Sequence, residues 1–209
     1  MNIVQHLKGI YGYGTPILLK EIRIGGRSKL AIRKELSRAV ERGDIIRRSQ
    51  GVYYFKEASN LSSNISFRDV ITKKYIKNNY GIPGLDLDIY GYYTGQTFLN
   101  MIGLSQQVPA VLEITTNNTS CKREIEINNQ KAIIRKGRTE IDRTNYKILQ
   151  FLDMLSSYLS EEEIKENKEF LEEYIKKNFT KKDFTDYIQY YSFRLLKIIT
   201  DEGLINAFR

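Results

Sequence analysis

The alternation of apolar and polar positions divides the first 57 residues into short elements. Ile3, Val4 and Leu7 share one face of a helix predicted over Asn2–Gly9. Thr15-Pro16 reads as a helix start, because Thr can cap and Pro suits the first helical position. A short helix through Ile17, Leu18, Leu19 and Ile22 is expected to follow, broken by Gly25-Gly26. Ser28 then caps a longer helix, Lys29–Arg42, which Gly43 ends. Its Ile32, Leu36, Ala39 and Val40 recur at helical spacing and are expected to face a core. Ile45–Arg48, a turn at Ser49-Gln50-Gly51, and Val52–Phe55 read as a hairpin, with Gly51 free to take a positive φ. Side chains alternate along a strand, so either Val52 and Tyr54 or Tyr53 and Phe55 are expected in the core.

Residues 58–63 are small and polar and read as a linker, so the chain is expected to comprise a domain at 1–57 and another at 64–209. Ser66 with Asp69 starts the next helix, with Phe67, Val70, Ile71 and Tyr75 inward and Lys73, Lys74 and Lys77 outward. Residues 80–93, rich in Gly and Tyr, read as a loop, and Thr94–Gly103 as a short helix. Strands are expected at Pro109–Thr115, Arg123–Ile127 and Ala132–Lys136, the last two joined at Asn128-Asn129. Helices are expected over Asn145–Leu159, over Glu161–Asn178 behind a Ser160/Glu163 capping box, and from Thr180 to Gly203. The expected class is α+β: an N-terminal helical module with a hairpin, then a small antiparallel sheet with a helical stretch.

Charge sharpens the first module. The chain carries +8, and residues 1–57 hold 12 Lys+Arg against 5 Asp+Glu. Residues 58–209 are near neutral, with 21 against 20. Such asymmetry points to a polyanion-binding module joined to a neutral one, although a solvated basic face gives the same count. On the long helix, Lys34, Arg38 and Arg42 recur every four residues, flanked by Arg33 and Ser37. Like charges at that spacing cost a few tenths of a kcal/mol per pair. Glu35 and Glu41 offset part of the repulsion, and DNA phosphate would remove it. Helix, helix, basic helix, hairpin is the order of a winged helix-turn-helix, in which the last helix enters the major groove and the wing touches the flanking backbone. Lys29, Arg33, Lys34, Ser37, Arg38 and Arg42 are the candidate DNA contacts from the helix, and Arg47, Arg48 and Gln50 those from the wing. Lys29, Arg33 and Ser37 are assigned to bases, and Arg47 and Arg48 to phosphates. A generic DNA-binding regulator and a winged helix that binds protein remain alternatives.

Two stretches resemble AbiEi-type antitoxins of bacterial abortive-infection toxin–antitoxin pairs: RGDIIRRSQGVYYF, and YYTGQTFLNMIGLSQQVPAVLEITTN over Tyr92–Asn117. The second contains the phrase Gly103-Leu104-Ser105-Gln106-Gln107-Val108-Pro109 leading into a strand. With the strand pair at Arg123–Lys136, the resemblance covers roughly residues 1–145 and does not reach the last three helices. It implies a promoter-binding autoregulator that recognises inverted repeats in double-stranded DNA and counteracts a nucleotidyltransferase-like toxin. Direct contact with the toxin is not assumed. The resemblance transfers no catalytic residues.

Other chemistry finds little footing. The single histidine, His6, and single cysteine, Cys121, cannot make a zinc site or a disulfide. No phosphate loop is present. Asp86, Asp88, Glu113, Glu124 and Glu126 could hold Mg²⁺ in a nuclease, yet Glu113 lacks the neighbouring strand lysine, and Glu124 and Glu126 alternate onto one face. The expectation is a non-enzyme without metal or cofactor. No membrane-length apolar run or signal peptide is evident, so the expected location is cytoplasmic.

Overall fold

The computed structural model describes residues 2–57, 64–82 and 84–208. It is a mixed helix-and-sheet chain that forms two compact units, Met1–Asp88 and Ile89–Arg209. The predicted linker at 58–63 lies outside the described residues. Residues 64–88, which the sequence assigns to the C-terminal domain, belong to the first unit.

In the first unit, α1 spans Ile3–Tyr11, capped by the Asn2 side chain, which accepts from the Val4 N–H at 2.9 Å. It runs through Gly9 and buries Ile3, Leu7 and Tyr11. The helix predicted next is absent. Ile17–Leu18 form a short strand, β1, and a turn follows in which Glu21 N–H donates to Leu18 O and Ile22 N–H to Leu19 O. Two effects override the helix signal. Thr15 precedes a proline, which disfavours the helical region. The few residues before Gly25 are also too short a run to sustain a helix, whereas pairing Ile17 with Tyr53 and Leu18 with Val52 buries both apolar side chains.

The long helix, α2, spans Lys29–Glu41, with the Ser28 hydroxyl accepting from the Ala31 N–H at 3.2 Å. Ile32, Leu36 and Ala39 face the core as expected, and Gly43 leaves the helix with φ 78°. The hairpin is β2 (Ile46–Ser49) and β3 (Val52–Tyr54), and β3 is the centre of a sheet ordered β1-β3-β2. All of Val52, Tyr53, Tyr54 and Phe55 are buried, where one pair was expected. Both faces of this strand are covered. Tyr53 and Phe55 join the core of α1 and α2, and the Tyr54 hydroxyl donates to Asn64 Oδ1 at 3.2 Å.

The Ser66/Asp69 capping box is complete and starts α3, Phe67–Ile71. The chain then enters a π-helical turn, Thr72–Ile76. Each π turn is wider than an α turn, so the periodicity read from Phe67 no longer assigns faces. Lys73, expected outward, is therefore fully buried, with its ammonium 3.2 Å from Glu21 and 5.8 Å from the centre of the Tyr11 ring.

In the second unit, Gly91–Tyr93 form β4 rather than loop, pairing antiparallel with β5, Val111–Thr116. Between them lies α4, Gly95–Ile102, ended by Gly103 in the left-handed region. A side chain at Gly95 (φ 59°) would collide with the Glu113 carboxylate and lie 2.9 Å from the Tyr158 ring, so glycine is required there. β6 (Arg123–Ile127) and β7 (Gln130–Lys136) form the predicted hairpin, with Asn128 and Asn129 both at positive φ. The sheet is ordered β4-β5-β7-β6, and β5 runs parallel to β7, so it is mixed rather than antiparallel. Burial decides this. β7 carries the fully buried Ala132 and Ile134 and takes the interior, while the charged β6 forms the edge.

The helices begin with α5, Tyr146–Ser157. The helix expected over Glu161–Asn178 is two, α6 (Glu161–Glu166) and α7 (Lys168–Asn178), separated at Asn167, whose side chain donates to Glu163 O. The last helix is likewise α8 (Lys181–Tyr187) and α9 (Phe193–Asp201), parted by a 3₁₀ turn and an extended Tyr191. The breaks let Ile164, Leu171, Ile175, Phe184, Leu195 and Ile199 all reach one core with Phe151 and Leu152.

A polar network built on the buried Tyr92 and Asp153 lies beside that core. The Tyr92 hydroxyl donates to Asp153 at 2.7 Å, Arg138 pairs with the same carboxylate at 3.2 Å, and Tyr191 donates to Leu149 O at 2.9 Å. Burial first, and the Asp153 charge second, push the Tyr92 and Tyr191 hydroxyls well up from their ordinary range. A raised folded pKa means that the associated stability is complete below the unfolded tyrosine value, ~10, and is lost above it. Denaturant titrations should therefore show stability unaffected by these tyrosines up to pH ~10, then falling by up to ~1.4 kcal/mol per pH unit for each. Tyr92→Phe should make that alkaline fall shallower.

Candidate nucleic-acid interface

The exposed side of α2 carries the predicted residues in two stripes. Lys29, Arg33 and Ser37 recur at i, i+4, i+8 on the side toward the hairpin, and Lys34 and Arg38 lie on the next stripe. All five are exposed. Lys29, Arg33 and Ser37 line a groove of about 550 Å³ together with Arg47, Gln50 and Gly51 of the hairpin. Leu18, Leu19, Val52 and Tyr53 give it an apolar surface, and Lys20 and Lys74 complete the lining. Among the described residues no Asp or Glu lines it.

The fold explains this convergence. Arg47 is paired across the sheet with Tyr53, whose ring is in the core under α2, so the two share the α2-facing side of the hairpin. Arg48 is in a different position. The register shifts between Arg47 and Ser49, making Arg48 the extra residue of a bulge. It is half-buried, its Nε is shielded without a hydrogen-bond partner among the described residues, and it lies outside the groove lining.

Acidic neighbours divide the cations further. Arg42, at the end of α2, pairs with Asp44 at 2.8 Å, and Glu35 pairs with Arg27. Among the described residues no salt bridge engages Lys29, Arg33, Lys34, Arg38 or Arg47; Arg47 Nε donates to Ser49 O at 3.4 Å. Five of the nine predicted contacts thus meet in one concavity: Lys29, Arg33, Ser37, Arg47 and Gln50. Lys34 and Arg38 extend the basic face beside it, Arg42 is ion-paired away from it, and Arg48 is tucked into the hairpin.

Lys20 and Lys74 were missed. Lys20 was hidden by the helix expected at Ile17–Ile22, and Lys74 by the assignment of its segment to the other domain. A signal for Lys20 was present in its place beside the Pro16 and Gly25-Gly26 breaks. For Lys74, no sequence signal marks the π turn.

Three of the five carboxylates considered for a metal are otherwise engaged. Asp88 accepts from the Asn78 side chain at 2.6 Å, Glu124 pairs with Lys131 at 3.0 Å, and Glu113 pairs with Arg135 while its own N–H donates to Thr97 at 3.0 Å. Among the described residues no group of three His, Cys, Asp or Glu could hold a metal ion. No helix among them is long and apolar enough to cross a membrane. No known family model, characterised protein or solved structure matches this chain.

Proposed function

We propose that the chain binds double-stranded DNA through α2 and the β2–β3 hairpin, and acts as the autoregulating antitoxin of an abortive-infection pair. The carrying observation is the acid-free basic groove between α2 and the hairpin. The order α1, β1, α2, β2, β3 has a turn where a helix-turn-helix has its second helix, and the winged-helix reading is supported instead by β1, which completes a three-stranded sheet against the hairpin. In that reading the first turns of α2 enter the major groove and the hairpin lies on the flanking backbone. Arg33 and Lys29 are suited to guanine edges and Ser37 to either base type. Arg47 positions the domain on phosphate.

The antitoxin role rests on the resemblance of Arg42–Phe55 and Tyr92–Asn117 to AbiEi-type proteins. Neutralisation of a nucleotidyltransferase-like toxin is assigned to the second unit.

Two measurements test these levels separately. In a gel-shift titration against the DNA upstream of its own gene, Arg47→Ala should flatten the log K against log salt line by ~1 unit, and Arg48→Ala by less. An unchanged slope with full affinity for Arg47→Ala counts against the hairpin as a wing. In cells, expressing a nucleotidyltransferase-like protein encoded beside this gene should arrest growth, and co-expressing this chain should restore it. Continued arrest removes the antitoxin role and leaves a DNA-binding regulator.

A further inference from the structure

We infer that the groove seats one sugar–phosphate strand of the bound duplex, and that Lys20 and Lys74 join Arg47 in holding its phosphates, while Lys29 and Arg33 reach past that strand to the bases. The inference rests on the DNA-binding reading and carries the interface beyond residue 57, into the π turn that follows α3.

The geometry of a duplex requires a strand at this place. A helix in the major groove and a hairpin on its flanking backbone meet along one sugar–phosphate strand. That backbone passes between them, and the space between α2 and the β2–β3 turn is the groove. Its lining suits the chemistry of a phosphodiester strand. Five cations, Lys20, Lys29, Arg33, Arg47 and Lys74, surround Leu18, Leu19, Val52 and Tyr53. A nucleic-acid backbone alternates an anionic phosphate with an apolar sugar face, so it presents partners for both. With no carboxylate among the described lining residues, the like charges of Lys20, Lys29, Arg33 and Arg47 around one concavity repel one another until an anion enters.

Lys20 and Lys74 reach this place by different routes. Lys20 is exposed in the turn that replaces the expected second helix. Lys74 is half-buried, with its ammonium 5.3 Å from the centre of the Tyr75 ring. The aromatic face restrains a long flexible side chain and reduces the entropy lost when a phosphate is bound. The buried Lys73–Glu21 pair ties the π turn to the same turn that presents Lys20.

The test uses the full chain in fluorescence-anisotropy titrations over a series of salt concentrations. One probe is a duplex taken from upstream of its own gene, and the other an unrelated duplex of equal length. Lys20→Gln and Lys74→Gln should each reduce the salt slope by ~1 unit. The reduction should be the same on both duplexes, because phosphate contacts carry no sequence information. Lys74→Arg should retain the slope. Lys20 sits in an exposed turn, so its variant reads the seat without touching the packing of α3. If wild type binds DNA and both glutamine variants keep its slope, or lose affinity on the cognate duplex alone, the strand seat is overturned while the DNA-binding reading stands. If wild type binds neither duplex, the DNA-binding reading itself fails.

Discussion

Glu21→Ala should destabilise the first unit by about 3 kcal/mol, near the lower end of the range for breaking a buried ion pair. The lower end applies because the Glu21 side chain is a quarter exposed, while that of Lys73 is 1 % exposed. The cost arises from asymmetry. Lys73 stays in place, held within the π turn, and its ammonium loses the carboxylate 3.2 Å away. Lys73→Met removes the buried charge and keeps most of the side-chain volume, so on its own it should cost less than Glu21→Ala. Combining the two should recover part of the loss, since a well-packed apolar group often replaces a buried pair without net cost. Chemical denaturation of the four proteins in the cycle gives the coupling directly. Additive effects would mean that the pair does not hold the π turn to the β1 turn. The same cycle has a functional readout: loosening this tie should weaken DNA binding through Lys74 even though neither Glu21 nor Lys73 lines the groove.

Arg33→Ala should lower affinity for the cognate duplex by ~5–150-fold, the loss of ~1–3 kcal/mol expected of one base-reading contact, and should relax the preference at a single base pair. Arg33 stands midway along the groove-lining stripe of α2, one turn from both Lys29 and Ser37. Arg42→Ala provides the internal contrast. Arg42 belongs to the same basic helix in sequence, but it is exposed, paired with Asp44 and absent from the groove lining. Its removal should change affinity by less than ~1 kcal/mol. Competition binding against a set of single-base variants measures both effects. Equal losses for Arg33→Ala and Arg42→Ala would show that the helix acts through bulk charge alone, with no preferred side.

Much of the molecule was legible from local pattern. The α2 helix, its Ser28 cap, its apolar stripe and the hairpin at Gly51 all follow from spacing and backbone preference, which act over a few residues. The capping boxes at Ser66, Ser160 and Thr180 are equally local, and each forms with both hydrogen bonds. The concentration of positive charge in residues 1–57 was legible too, because it depends on residue type alone.

The misread strands and the buried lysine share a cause: each depended on a partner distant in sequence. Ile17–Leu18 is a strand because β3 offers an edge more than thirty residues later. Gly91–Tyr93 is a strand because β5 pairs with it, and β7 lies parallel to β5 because its buried residues need the interior of the sheet. Lys73 is buried because a π turn shifts its phase and Glu21 receives it. The candidate site divides in the same way. Residue type and helical spacing marked α2 and the hairpin as basic, since those properties belong to each segment alone. Which of the cations share a cavity depended on folding: Arg47 and Arg48 are adjacent in the chain, and a one-residue bulge separates the exposed groove-lining arginine from the half-buried one. Alternation along a strand is local and already sets adjacent side chains apart, whereas the bulge and the shared groove are set by pairing across the sheet, which no local pattern encodes.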